Sequence, residues 1–164
     1  MIEKPTVYLE TTIPSYLTAR PSSNLIIAGE QAITREWWES RKAMYRLFIS
    51  EAVVEEACRG DAKAARKRLE AISDLEELSI DESVLSLTRE ILGTGLIPEK
   101  ASADALHIAV ASRHGIDYLV TWNCKHIANA EIIRRISYVI SKCSYFVRII
   151  CTPRELFGGE EDEK

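Results

Sequence analysis

A chain of 164 residues suits one domain with a single substantial core, and 46% apolar residues with only 7 Gly and 5 Pro exclude the fibrous and low-complexity classes. The net charge of −4 is unevenly placed: Glu155 to Lys164 holds five acids against one base, and the rest of the chain is balanced. A balanced body excludes nucleic-acid binding driven by overall charge, so such a function has to rest on local patches and site chemistry. No apolar run reaches the roughly 18 residues of a membrane span. The start, MIEKPTVYLETT, lacks the basic head and apolar stretch of a secretory signal. A cytoplasmic protein away from membranes is expected. Cys58, Cys124, Cys143 and Cys151 show no Cys-x-x-Cys spacing. Although Cys124 and His126 stand two apart, reduced thiols are the better reading, with neither a structural metal nor a disulfide expected.

In chain order, PTVYL at 5–9 predicts a first strand, and residues 24–45 a long helix with Asn24 as its N-cap. RLFIS at 46–50 is a second strand, followed by a short helix over 51–58 that stops near Gly60. Asp61 caps the next helix, which aligns Ala64, Ala65, Leu69 and Ile72 on one face. A third strand at 75–80 leads into an Asp81-capped helix ending near Gly93. A buried helix begins around Ser102 and ends at Gly115. DYLVT at 117–121 is the most apolar strand, as expected of one covered on both faces of a parallel sheet. A helix over 126–142, a strand at 145–151 and a Pro153-led turn complete the pattern. Such alternation predicts an α/β domain over 1–157, with a mainly parallel sheet of four to five strands and helices on both faces. Residues 158–164 read as an acidic, disordered tail.

Polar residues gather where these strands end. Glu10 leaves the first strand and is followed by Thr11 and Thr12. Glu51, Glu55 and Glu56 lie on the short helix after the second strand, and either of the last two can lean over the cleft. Asp104 stands in the first turn of an otherwise apolar helix, and Thr121 and Asn123 leave the fourth strand. In open α/β sheets the functional crevice lies beyond the carboxyl ends of the strands, where strand order reverses. Each residue also has a plain structural use: Glu10 can enter a helix, a glutamate can be solvated, and Asp104 can complement a helix dipole. Together, three carboxylates at one edge repel unless a cation neutralises them, and hard oxygen donors suit Mg²⁺ or Mn²⁺. Such a site can polarise a phosphodiester and activate water for hydrolysis.

VYLETT, ISEAVVEEACRGD, SADALHIAVA, DYLVTWN and ICTPREL, in that order over nearly the whole chain, resemble a PIN domain, the ribonuclease fold that includes the VapC-type toxins of toxin–antitoxin pairs. The resemblance implies a three-layer α/β fold and a Mg²⁺- or Mn²⁺-dependent endoribonuclease acting on RNA. It also implies homodimers held by a cognate antitoxin. It assigns Glu10, Glu56 and Asp104 as metal ligands, with Glu56 preferred to Glu55. Asn123 would hold a water on the metal or the phosphate, with Thr11 and Thr121 orienting the ligands. Two departures stand out. Glu10 replaces the family's usual Asp, and Asn123 replaces a common fourth Asp, which argues against a second tightly held metal. Asp117 cannot substitute, because six residues of strand put it roughly 20 Å away. The alternative these departures motivate is a catalytically weak or inactive PIN-like module that binds RNA or protein. An unrelated nucleotide-binding protein is disfavoured, since no glycine-rich phosphate loop follows the first strand. His107 and His126 flank the site in sequence and read as structural. Trp37 and Trp38 read as core or interface residues, and Arg59, Lys63, Arg66, Lys67 and Arg68 as a solvated face able to steer phosphate.

Overall fold

A computed structural model describes residues 2–159. The strands are β1 (Thr6–Leu9), β2 (Arg46–Ser50), β3 (Glu76–Leu78), β4 (Tyr118–Val120) and β5 (Ile149–Cys151). They form one all-parallel sheet in the order β3-β2-β1-β4-β5. The helices are α1 (Thr12–Thr18), α2 (Leu25–Ser40), α3 (Glu51–Ala57), α4 (Ala62–Ile72), α5 (Glu82–Gly93), α6 (Ser102–Arg113) and α7 (Ala130–Lys142). They cover the sheet in a three-layer α/β arrangement: α1 packs on α2 and α4, and α5 packs on α6 and α7. The acidic tail expected over 158–164 lies, from residue 160 on, outside the described residues.

β1 is central because it is apolar on both faces: Val7, Tyr8 and Leu9 are fully buried. It pairs with β2 in the register Val7↔Leu47 and with β4 in the register Tyr8↔Leu119. The chain steps outward from β1 through β2 to β3, then returns to the other side of β1 for β4 and β5. Strand order therefore reverses between β1 and β4, and the crevice at their carboxyl ends is the switch point of the sheet. The core joins these strands to Ile108, Ala109 and Val110 of α6 and to Ile136 and Ile140 of α7.

Side-chain caps set several helix starts. The Asn24, Asp61, Asp81 and Asn129 side chains accept backbone N–H bonds at the first turns of α2, α4, α5 and α7. The helix expected over 24–45 ends at Ser40, and a short 3₁₀ turn (Lys42–Met44) leads into β2. The helix expected from 126 starts at Ala130 instead, because Asn129 takes the cap and 123–128 is wound into a turn. A helix entered at Glu10 was one of two uses allowed for that residue and was given no bounds; α1 occupies Thr12–Thr18 with Pro14 in its first turn, where its missing N–H is no loss. Trp37 is fully buried and Trp38 is half-buried with the Lys42 ammonium 4.5 Å from its ring. Among the described residues no helix is long and apolar enough to cross a membrane.

Candidate active site

β1 delivers Glu10 to the switch point, where its backbone N–H bonds the Val120 carbonyl at the end of β4. The Glu10 side chain is 4% exposed. A carboxylate buried that far needs donors, and one oxygen, Oε2, receives three. They are the Thr121 hydroxyl at 2.7 Å, the Thr12 hydroxyl at 2.5 Å and the Thr12 backbone N–H at 3.1 Å. Both hydroxyls are themselves held: Thr121 Oγ1 accepts the Asn123 N–H, and Thr12 Oγ1 accepts the Trp122 N–H. Glu10 thus opens α1, the structural use allowed for it, and stitches that helix to the β4 exit. Its other oxygen, Oε1, makes no hydrogen bond among the described residues.

β2 and α3 supply the second acid. Glu55 faces solvent, while Glu56 turns inward. Glu56 Oε1 accepts from the Thr11 hydroxyl at 2.9 Å and meets His107 Nε2 at 2.5 Å. His107 is fully buried, and its Nδ1 lies 2.7 Å from the Tyr8 hydroxyl, which in turn lies 2.7 Å from Ser50 Oγ. A relay of buried polar groups therefore runs from the end of β2 through β1 and α6 to Glu56. Burial, the largest single effect on Glu56, favours its neutral form. The His107 hydrogen bond and charge, the Thr11 hydroxyl and the Arg59 guanidinium outweigh burial and hold the carboxyl below its ordinary value. Burial pushes the Tyr8 phenol strongly upward, so it stays protonated as a link in the relay.

Asp104 comes from the first turn of α6, a helix that runs back from the carboxyl edge before β4. It does not cap the helix; its Oδ2 meets His126 Nδ1 at 2.8 Å. His107 stands three residues on along α6 and reaches Glu56, so one helix face links the second and third acids. Asn123 is placed differently from expectation. Its side-chain oxygen accepts the His126 N–H at 3.0 Å, and its carbonyl accepts from Ile127 and Ala128. It builds the turn after β4 rather than reaching into the crevice with that oxygen. Asp117 lies at the opposite edge, bonded to Thr6 at the start of β1.

Glu10, Glu56 and Asp104 each have one oxygen tethered, and the second oxygen of each makes no hydrogen bond among the described residues. No Lys or Arg among them forms an ion pair with any of the three. Hard, anionic oxygens are donors of the kind a divalent cation takes, with its other positions left to water and phosphate. The expected convergence of all three on one cation-sized space is corrected: among the described residues no three His, Cys, Asp or Glu side chains are gathered tightly enough to hold an ion together. Like charges repel, and each carboxylate has taken a local hydroxyl or imidazole partner instead. Two of the five residues of the basic run are committed. Arg68 donates to the Ala57 and Arg59 carbonyls at the end of α3, and Arg66 pairs with Glu70.

His107 and His126, read from sequence as structural, are direct partners of the acids, Thr12 was read only as a possible cap, and Tyr8 and Ser50 were given no part in the site. The available signal was a histidine one turn after Asp104 inside a helix with no other polar face.

An all-parallel five-stranded sheet layered between helices defines a three-layer α/β protein. The chain matches the PIN domain family over residues 8–130, about three quarters of its length, and belongs to that family. The family has a nuclease-type fold, its nuclease members bind RNA, and divalent metals are typical of it. No curated protein sequence matches the chain.

Proposed function

We propose that this protein is a Mg²⁺- or Mn²⁺-dependent endoribonuclease that hydrolyses RNA phosphodiesters. We read it as the cytoplasmic toxin of a type II toxin–antitoxin pair, working as a homodimer under a cognate antitoxin. What supports the nuclease reading is that Glu10, Glu56 and Asp104 each have one oxygen tethered and a second that makes no hydrogen bond among the described residues. The toxin, dimer and antitoxin assignments rest on the resemblance of the motif order to VapC-type proteins. The working unit is residues 1–157, with 158–164 an acidic extension.

A bound divalent cation would neutralise charge on the scissile phosphate and activate water for attack. The chain's own residues hold the ligands in place. Thr12 and Thr121 fix the Glu10 carboxylate, Thr11 and His107 fix Glu56, and His126 fixes Asp104. Asn123 shapes the turn that carries His126.

The test is cleavage of single-stranded RNA with Mg²⁺, with Mn²⁺ and with chelator, for the natural chain and Asp104→Asn. Asp104→Asn is expected to abolish cleavage while melting no lower than the natural chain, since one of several like charges is removed. Cleavage that survives chelation, or equal cleavage by the variant, refutes the metal mechanism. A second reading, a PIN-like module that binds RNA or protein without efficient catalysis, is favoured by the commitment of the uncharged Asn123 side chain to its own turn. Absence of cleavage in the natural chain together with its gain in Asn123→Asp identifies the missing fourth charge as the cause.

A further inference from the structure

The outer face of α7 combines cations that hold no carboxylate with an exposed aromatic ring. Arg46, Arg66, Arg89, Arg113 and Arg148 each hold a carboxylate. Arg134 and Arg135 are exposed and form no ion pair or hydrogen bond among the described residues. One turn further along α7, Tyr138 is 63% exposed, with the Lys142 ammonium 4.6 Å from its ring. Arg134, Tyr138 and Lys142 recur every four residues, so they form a stripe about 12 Å long on one side of the helix. The buried side of the same helix carries Ile136 and Ile140, which leaves Tyr138 no part in the core.

This stripe borders an open groove of about 710 Å³, walled on its other side by Thr94 and Leu96. None of the groove's lining residues is acidic. The cleft at Pro5–Tyr118 contains Glu3 and Asp117, and the one at Trp38–Phe48 contains Asp74 and Glu76. The groove is also tied to the candidate active site through the chain. Its Thr94–Leu96 wall leads into α6, whose first turn carries Asp104, and α7 follows the turn that carries His126. The Asp104–His126 hydrogen bond joins these two walls at the carboxyl edge.

We propose that this groove is a second RNA-contact surface, seating single-stranded RNA beyond the scissile bond and leading it toward Asp104. A base stacks on Tyr138, which suits any base because each has a π face. The planar forks of Arg134 and Arg135 take phosphate oxygens in pairs, and Lys142 adds a third cation. The inference rests on the RNA reading above but not on catalysis. A chain of net charge −4 has no long-range attraction for RNA, so a groove with no acidic lining residue and two arginines free of ion pairs among the described residues suits local contact with it.

The experiment is fluorescence anisotropy of a labelled single-stranded RNA of about 12 nucleotides, in chelator so that nothing is cut. The natural chain, Arg134→Ala/Arg135→Ala, Tyr138→Ala, Tyr138→Phe and Asp104→Asn are compared over a salt series. Arg134, Arg135 and Tyr138 are all exposed, and circular dichroism confirms folding. The double arginine variant is expected to bind about tenfold or more weakly, with the salt slope flattened by about 1.4 for two lost phosphate contacts. Tyr138→Ala is expected to lose about fivefold or more and Tyr138→Phe to retain binding, because stacking needs the ring and not the hydroxyl. Asp104→Asn, which loses a charge that repels phosphate, is expected to bind no more weakly than the natural chain while losing cleavage when metal is restored, so that the two functions are read apart. Groove variants that bind and cleave like the natural chain overturn this proposal and leave the nuclease reading standing. A natural chain that binds through the groove but cuts nothing upholds this proposal and defeats the nuclease reading. Absence of RNA binding by the natural chain overturns this proposal whatever its activity. Binding to heparin that matches RNA binding and ignores Tyr138→Ala overturns it in favour of a general polyanion site.

Discussion

Thr121 is the most informative single position, because its hydroxyl serves two buried groups at once. It donates to Glu10 Oε2 at 2.7 Å and accepts the Asn123 N–H at 2.9 Å, with Thr121 itself fully buried. Thr121→Val keeps the shape and removes both bonds. A hydrogen bond to a charged acceptor contributes about 1.5–3 kcal/mol, and a backbone N–H left without a partner costs about 1 kcal/mol more. The expected loss is about 3 kcal/mol, which for a domain of this size lowers Tm by about 6–12 °C. Thr121→Ser, which restores the hydroxyl, is expected to recover most of it. If Glu10 is a ligand, releasing its carboxylate also lowers metal affinity or cleavage by about 10–100-fold. Thermal and urea melts of the three proteins, beside RNA cleavage over a metal titration, measure both effects. A Thr121→Val protein that melts within a degree of the natural one refutes the energetic role of the Thr121 hydroxyl. One that is destabilised yet fully active at saturating metal removes Glu10 from the catalytic set.

Glu56 is held below its ordinary value of 4.5, so its ionised form stabilises the fold above that pH, and this contribution is lost as pH falls through the lowered folded value. The urea midpoint is therefore expected to fall on acidification below about pH 4.5, with a shallower fall in Glu56→Gln; parallel profiles contradict the assignment. Tyr8→Phe removes the link between Ser50 and His107. It is expected to cost about 1–3 kcal/mol by urea denaturation, and a variant of natural stability shows that the relay contributes nothing. Glu55→Gln is expected to leave cleavage unchanged, since Glu55 faces solvent, whereas Glu56→Gln abolishes it. The opposite ranking in a cleavage assay shifts the ligand by one residue.

The fold was legible where the sequence carried strong periodicity or strong caps. The Asp61- and Asp81-capped helices start where expected, and the apolar runs at 5–9, 46–50 and 117–121 contain β1, β2 and β4. α1 was not legible. TIPSYLT has only seven residues, contains a proline, and is fixed at its start by the Glu10–Thr12 contact, which Thr121 from the end of β4 reinforces by donating to the same oxygen. The late start of α7 was hidden for a different reason. Asn123 and Asn129 are both competent caps, and their division of labour depends on the turn between them.

The acids were legible because a carboxylate at the end of an apolar strand is costly unless something there uses it. Their partners were not, because sequence spacing says nothing about which hydroxyl or imidazole lies across a strand boundary. Thr11 sits beside Glu10 in sequence yet donates to Glu56, 45 residues away. His107 shares a helix with Asp104 yet serves Glu56, and Asp104 takes His126 from beyond β4. Each carboxylate is thus oriented by a residue from a different element, and every such crossing meets at the β1–β4 switch. A substitution at any one hydroxyl or histidine therefore disturbs an acid and the junction between two elements together. In this site, losses of stability and of activity are expected to travel together for Thr121 and His107. They are expected to separate for Asp104, whose only tether is a partly exposed histidine.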